Sequence, residues 1–533
     1  MKAICIRHKT AICLVFSGLL TGLTIVCPRL GFLQWFSLVP AALMLFACAR
    51  EEKIGLKRVY WMGILCFWAY YAVALHWFFY MYPLDFAGLS NLASLFVVLI
   101  ACFGLSFLQA VFSALVFVII TLLLRCELLK KHFISAPFVC AAVWVVAEWF
   151  QTVGWWGVPW GRLPLGQIES PLLLRSAALF GSYFITFVIV AVNFCLASVF
   201  SHKEKKRVLI SLALVLFSVN LAAGTAVTLL YREDGETDLT VAAIQGNISS
   251  NDKWDLAMLE KTLSIYESLT VAAAANGAEV VVWPETALPY VVSQEPKLID
   301  YLSRLAKENE VTILVSAFTE SESGQGLSNS LIEVRPDGSF GDVVYSKRRL
   351  VPFGEFVPMR DLVMLLFPPL ANIGMLEEDL VAGEESVVIE TDKGAFGCGI
   401  CFDSIYETVI RESVQNGAEI IAVSTNDSWF GDSAALKMHH SQSVLRAIET
   451  GRYVVRSANT GISSVIDPLG NVIDDVAPLR EGYAISQVNL RKEITLYTKI
   501  GNLWVLLCVA WILGVYFLPD LINKMNIKSV TKK

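Results

Sequence analysis

Apolar residues in this chain gather into long runs, and that gathering constrains the fold more than any other feature. A membrane-spanning helix needs ~20 mostly apolar residues. Eight stretches approach that length: residues 10–27, 30–48, 59–80, 92–124, 134–153, 174–201, 208–230 and, after a long interval, 503–518 ("LWVLLCVAWILGVYFL"). At 55% hydrophobic, 17% charged and a mean hydropathy of +0.58, a 533-residue chain is too apolar for an ordinary soluble enzyme. The reading is a polytopic α-helical bundle of about eight spans. Seven lie in a membrane domain, residues 1–230, and the last opens a C-terminal segment, residues 500–533, with a basic tail. Between them, residues 231–499 read as a globular domain. The first run has no evident small-residue cleavage site after it and leads directly into further spans, so it is read as a retained helix.

Five basic clusters set the orientation. Lys2, Arg7 and Lys9 precede the first run; Arg50, Lys53, Lys57 and Arg58 follow the second; Arg125, Lys130 and Lys131 follow the fourth; Lys203, Lys205, Lys206 and Arg207 follow the sixth; Lys524, Lys528, Lys532 and Lys533 follow the last. With an even number of spans all five share the cytoplasmic face, and residues 231–499 lie outside it. Forty of the 48 acidic residues fall in that external domain, which is therefore the source of the acidic balance of a chain whose net charge is −6. Nucleic acid is not an expected partner for such a surface.

Within the external domain, apolar β-branched runs alternate with amphipathic patterns. Strands are expected at "LTVAAIQGN", "AEVVVWPET", "VTILVSAFTE" and "AEIIAVSTND". Helices are expected at 252–276, about 296–309, "ETVIRESVQNG" and 434–451, and a hairpin turns at Pro336-Asp337-Gly338. The phrases "NGAEVVVWPET" and "NGAEIIAVSTND" nearly repeat each other, each running from a helix end at Asn-Gly through a strand to a polar terminus. That echo points to a two-fold α/β architecture with functional groups at strand ends.

Ten of the twelve cysteines lie in or beside apolar runs, where a cysteine is usually a small hydrophobe. The other two, Cys398 and Cys401, stand three apart in "FGCGICFDSIYE". On a strand, residues three apart face opposite sides, which disfavours a disulfide. No second Cys pair or nearby His pair completes a zinc site. Cys398, between Gly397 and Gly399, reads as packing, and Cys401 as a side chain projecting where the strand ends. A reactive thiol needs a base and a cation, and the other strand ends offer Glu285 in "WPET" and Lys347 in "YSKRRLVPFGEF".

The set "WPET", "SKRRLVPFGEFVP", "CGICFDSIYE" and "STNDSWFG", in that order, resembles the Glu-Lys-Cys nitrilase superfamily. With the flanking spans and the loop "EWFQTVGWWGVPWGRLPLGQ", nearly the whole chain resembles the bacterial apolipoprotein N-acyltransferases. The resemblance implies an αββα nitrilase-like sandwich carrying Glu285 as general base, Lys347 as oxyanion stabiliser and Cys401 as nucleophile. It implies a ping-pong transfer in which the thiol takes an acyl chain from a membrane glycerophospholipid. The resulting thioester passes the chain to the α-amine of a diacylglyceryl-modified N-terminal cysteine of an apolipoprotein, with no metal or other cofactor. It further implies a monomer in the bacterial inner membrane with the catalytic domain in the periplasm. Glu355 matches a loop glutamate of the family, Trp254 a tryptophan of the substrate arm, and Asn426, Asp427 and Trp429 its Asn-Asp-x-Trp-Phe-Gly turn. After the nucleophile this chain has Phe402 and Asp403, a departure from the Cys-Tyr-Glu of enterobacterial members.

Two further features are read from the residues. "DLVMLLFPPLANIGML" (361–376) is strongly apolar and is expected to be an arm touching lipid, because diacyl chains must leave the bilayer without meeting water. Trp155, Trp156 and Trp160 suit an interfacial aromatic belt. A membrane-tethered amidase using the same triad is the alternative enzyme. A transporter is disfavoured by the near-absence of ionisable residues inside the spans, Glu148 lying near one end.

Overall fold

The computed structural model describes residues 2–84, 89–154, 157–232, 239–249, 253, 258–321, 323–366 and 378–530. The chain forms two compact units, one of residues 1–79, 96–229 and 500–533, the other of residues 80–95 and 230–499.

Among the described residues, six helical segments are long and apolar enough to cross a membrane: Lys9–Val26, Pro28–Arg50, Asn91–Arg125, Phe133–Phe150, Ser182–Ser201 and Lys203–Leu230. The two other expected spans are also helical but fall short in different ways. Leu56–Ala74 carries Lys57, Arg58 and several Tyr and Trp side chains, which lower its apolarity, and the apolar part of the last helix, Leu503–Phe517, is shorter. Glu148 is buried: its carboxylate accepts the Leu163 N–H at 2.8 Å and the Thr186 hydroxyl. It thereby ties the irregular 157–167 loop into the bundle. Trp160 is only 4% exposed and packs against Trp77, so it does not serve as an exposed interfacial anchor; Trp155 and Trp156 lie outside the described residues.

The described residues of the second unit form thirteen strands in two sheets. The first sheet holds β1 (Leu239–Gln245), β2 (Val280–Val282), β3 (Leu288–Val291), β4 (Thr312–Glu320), β5 (Leu327–Val334), β6 (Phe340–Ser346) and β13 (Gly482–Val488). Its order is β13-β1-β2-β4-β5-β6, with β3 also on β4. The second sheet holds β7 (Val388–Thr391), β8 (Gly394–Ile400), β9 (Ile420–Thr425), β10 (Val454–Ala458), β11 (Ser463–Ile466) and β12 (Val472–Val476), in the order β12-β11-β10-β9-β8-β7. In each sheet the central strands pair in parallel and antiparallel strands close the edges.

Alternation along the strands assigns the two faces. Val241, Ala243, Val280, Val282, Phe396, Cys398, Ile400, Ile420 and Ala422 share one core between the sheets. Ala242, Ile244, Val281, Ile313 and Val315 face outward onto α1 (Leu259–Ala275) and α2 (Pro296–Asn309). On the second sheet, α3 (Glu407–Gln415) lies so close to β8 that a Cβ at Gly397 would sit 2.6 Å from Ser413 Oγ, and one at Gly399 2.9 Å from Ile410 Cδ1. Close packing thus leaves no room for a side chain at Gly397, where Ala418 Cβ would also lie at 2.8 Å, and little at Gly399. With α4 (Ala434–Thr450) completing the outer layer, the unit is an αββα sandwich.

The two echoed phrases fold alike. Each helix ends in a glycine with left-handed backbone, Gly277 (φ 91°) and Gly417 (φ 105°), and in each the following alanine N–H returns to the helix, Ala278 to Ala273 and Ala418 to Ser413, both at 3.0 Å. The strands that follow, β2 and β9, lie in different sheets. Of the expected helix from 252, the described residues show Lys253 as helical and a helix over Leu259–Ala275; β3 and β13 were not anticipated, one being a four-residue strand containing proline and the other a weak alternation flanked by charges. Residues 80–95, read from sequence as membrane material, belong to this unit, where Tyr80 sits against Gly431.

Candidate active site

The carboxyl ends of β2, β8 and β9 and the end of β6 converge, and each delivers one polar group. Beyond β2, Trp283-Pro284 leads to Glu285; beyond β6 comes Lys347; beyond β8, Cys401; beyond β9, Asn426 and Asp427. The two echoed ends are stitched together: Ser424 Oγ donates to the Trp283 carbonyl at 2.8 Å, and the Asn426 N–H donates to Glu285 Oε2 at 2.9 Å.

Lys347 is 1% exposed, and its ammonium donates to Glu285 Oε1 and Glu355 Oε1, both at 2.8 Å. Burial alone would lower its pKa, but the two facing carboxylates reverse that and hold it well above the usual lysine value. Burial raises Glu285, yet Lys347, assisted by Lys253 and a hydrogen bond with the Cys401 thiol, outweighs it and holds the carboxyl below its ordinary value. Glu355 is pushed the other way, up, by burial and by the neighbouring Glu285. Its Oε2 accepts the Val351 N–H at 2.8 Å, which closes the 351–355 loop over the lysine. The pair of carboxylates is therefore differentiated, one kept ionised against the thiol and the other held behind the cation.

Cys401 has a left-handed backbone, φ 50°, as does Thr286 (φ 45°) immediately after Glu285. Such conformations cost about 1–3 kcal/mol in a non-glycine residue and persist only where the surroundings enforce them. For Cys401 the enforcement is visible. Its carbonyl accepts Ser404 Oγ at 2.8 Å, and His439 Nε2 lies 3.2 Å from it. Buried Asp403 accepts the Ile400 N–H at 3.0 Å and, from the lysine-bearing segment, the Tyr345 hydroxyl at 2.8 Å and the Arg349 N–H at 2.7 Å. Asp403 thus ties the cysteine turn to the Lys347 turn through a carboxylate, with no part for a longer side chain. The strand alternation expected to separate the two cysteines stops at Ile400; the left-handed residue turns the Cys401 side chain back to the rim of the same inter-sheet core that contains Cys398. Both are free thiols. Burial, then the Glu285 charge, raises the pKa of Cys401, opposed by Lys347, so the resting sulfur is a thiol with an ionised carboxylate on it.

Asp427 holds rather than reacts. Fully buried, it accepts His439 Nδ1 at 2.8 Å on one oxygen and Arg456 Nη2 at 2.9 Å on the other. Burial opposes the charge, but His439 and Arg456 together keep the carboxyl well below its usual range. A Cβ at Gly461 would lie 2.0 Å from Asp427 Oδ2, so glycine is required there. Phe402 packs edge-on against Tyr406, and Trp429 sits partly exposed in the Ser428–Phe430 turn. Trp254 lies outside the described residues, as does all of the 361–376 arm beyond Leu366.

Sequence reasoning missed Asn329, whose amide bridges Glu285 Oε1 (2.9 Å) and Glu355 Oε1 (3.3 Å); an asparagine amid the apolar residues of "LSNSLIEV" was the available signal. It also missed Lys253, 5% exposed, which donates to the Glu285 main-chain carbonyl at 2.6 Å. Among the described residues no His, Cys, Asp or Glu group could hold a metal ion.

Two family models match the chain: Carbon-nitrogen hydrolase over residues 240–496, and Apolipoprotein N-acyltransferase N-terminal domain over residues 17–195. A relative from Gloeobacter violaceus, described as an apolipoprotein N-acyltransferase, is 30% identical over 493 residues, covering 92% of this chain and 90% of its own length. Relatives of the same description from Geobacter metallireducens and Haemophilus influenzae are 34% and 30% identical over 63% of this chain, the match spanning 65% of each relative's length. Taken with the helical bundle and the sandwich, these matches identify a multi-pass membrane protein that belongs to the apolipoprotein N-acyltransferase family.

Proposed function

We propose that this chain N-acylates the α-amine of the diacylglyceryl-modified N-terminal cysteine of apolipoproteins, taking the acyl chain from a membrane glycerophospholipid through a thioester on Cys401. The observation that carries the reading is the buried cluster in which Lys347 is hydrogen-bonded to Glu285 and Glu355 and the Cys401 thiol stands beside the Glu285 and Lys347 charges.

Glu285 takes the thiol proton as sulfur attacks the ester carbonyl. The negative oxygen that develops faces Lys347, whose charge is secured by two carboxylates and costs no reorganisation when the reaction occurs. Glu285 then hands its proton to the departing lysophospholipid, and the acyl group stays on sulfur. The amine of the acceptor attacks the thioester and the thiolate leaves. Glu355, Asn329 and Asp403 position the lysine and the cysteine turn, and Phe402, Trp429 and Trp254 contribute to substrate binding. The reaction needs no metal or other cofactor. The protein works as a monomer in the bacterial cytoplasmic membrane, with residues 231–499 as the catalytic domain on the periplasmic side, residues 1–230 as the membrane domain and residues 500–533 as a final span with a cytoplasmic tail.

The test is to weigh the detergent-purified protein after incubation with a diacyl glycerophospholipid and no acceptor. A hydroxylamine-sensitive acyl adduct mapped to Cys401, discharged by a diacylglyceryl-cysteine peptide with formation of triacylated peptide, is the expected result. No adduct, with turnover of small amides, would instead make the protein a tethered amidase.

A further inference from the structure

Two lysines are buried in this site, and they are not equivalent. Lys347 meets two carboxylates in ion-pair contact. Lys253, equally shielded, meets none among the described residues; its ammonium position contacts the main-chain carbonyl of Glu285 at 2.6 Å. A buried ammonium without a counter-ion is costly, and such a group gives up its proton instead. The charged and titratable groups facing it are the Glu285 carboxylate, the Cys401 thiol and the Lys347 ammonium, from the ends of β2, β8 and β6. Burial dominates among them and brings Lys253 from 10.5 down to about 7. One N–H serves the Glu285 carbonyl, and the neutral amine keeps a lone pair.

The proton balance of the second half-reaction calls for such a group. Near neutral pH an acceptor α-amine, with a pKa of about 7.7–8, arrives largely as an ammonium. Turning it into an amide nitrogen removes two protons. Cys401 needs one of them to leave as a thiol, and Glu285 can carry that one. Lys347 is already protonated, so the surplus proton requires another base.

Resting on the thioester reading above, we infer that Lys253 is the proton acceptor that deprotonates the incoming α-ammonium before it attacks the Cys401 thioester. The proton moves from the acceptor nitrogen to Lys253 Nζ. The freed lone pair forms the C–N bond, the C–S bond breaks with its electrons on sulfur, and the second N–H proton passes through Glu285 to the thiolate. Lys253 then releases its proton to water.

The experiment measures the two half-reactions separately in Lys253→Met and Lys253→Arg, each checked for folding by a thermal melt. Acyl-enzyme formation from a diacyl glycerophospholipid is followed by intact mass, and discharge of preformed acyl-enzyme by a synthetic diacylglyceryl-cysteine peptide is followed across the neutral to alkaline range. Discharge near pH 7 is expected to be slowed about 10²-fold more than acylation is in the same variant, the scale of a lost general base. The deficit should close as the pH rises above the amine's own pKa, where the acceptor arrives neutral. Unchanged discharge, or equal slowing of both steps at every pH, overturns the inference; the second outcome makes Lys253 a pin for the Glu285 backbone. If the parent itself forms no adduct on Cys401, the thioester reading fails first and takes this inference with it.

Discussion

The ends of β2 and β9 have nearly the same sequence leading into them and the same helix-terminating turn, yet they do different work. At the β2 end Glu285, with both oxygens hydrogen-bonded, stands in a cluster with a cation and a thiol and is held ionised. At the β9 end Asp427 is enclosed, both oxygens occupied by His439 and Arg456, and His439 lies beside the Cys401 carbonyl. A strand end supplies a polar group, but what that group can do depends on its neighbours across the sheets. One end stands beside the thiol; the other is saturated by a histidine and an arginine.

Substitutions should divide along that line. Cys401→Ala removes the proposed acyl acceptor and is expected to lower turnover by about 10⁴-fold or more while the thermal melt stays near the parent's; residual turnover with an adduct on another residue would break the assignment. Glu285→Gln keeps the shape but loses the proposed base, for an expected loss of about 10²–10⁴ in the acylation rate, again with little change in the melt. At the saturated end the order reverses. Asp427→Asn leaves Arg456 without its carboxylate partner in a dry interior and should cost about 3–5 kcal/mol in denaturant unfolding, with any activity loss following from the loosened turn.

Acid should sharpen the same contrast. Because the Asp427 carboxyl is held below its ordinary range, its contribution is complete above about pH 4, the unfolded value, and is lost as the pH falls below it. The stability of Asp427→Asn should therefore fall less steeply through that acid window than the parent's, measured as the unfolding midpoint against pH. Tyr345→Phe deletes one bond to the Asp403 carboxylate and should cost about 1.5–3 kcal/mol. Smallest of all, Cys398→Ala removes one core atom, for about 1 kcal/mol, and leaves the Cys401 adduct intact; loss of the adduct there would erase the distinction between the two cysteines.

Much of this was legible beforehand because it depends on local pattern. Apolar length marks membrane helices, and the alternation in "LTVAAIQ" or "AEIIAVST" marks strands whatever they pack against. The site residues were found at strand ends, where such a fold displays them. Lys253 and Asn329 were missed because a lysine in a polar stretch and an asparagine in a strand carry no local sign of burial. Leu56–Ala74 shows the converse limit: its helical character was readable, but aromatic and basic residues dilute its apolarity.

The sequence alone determined the partition into apolar helices and an acidic α/β unit, the positions of most strands, and the order of the polar strand ends, since these follow from hydrophobic periodicity and turn chemistry along the chain. The tertiary structure decided which carboxylate is ionised, which lysine has counter-ions and which cysteine leaves the core. Charge states are set by desolvation and by groups distant in sequence, and only the packing of one sheet on the other brings those groups within hydrogen-bonding distance.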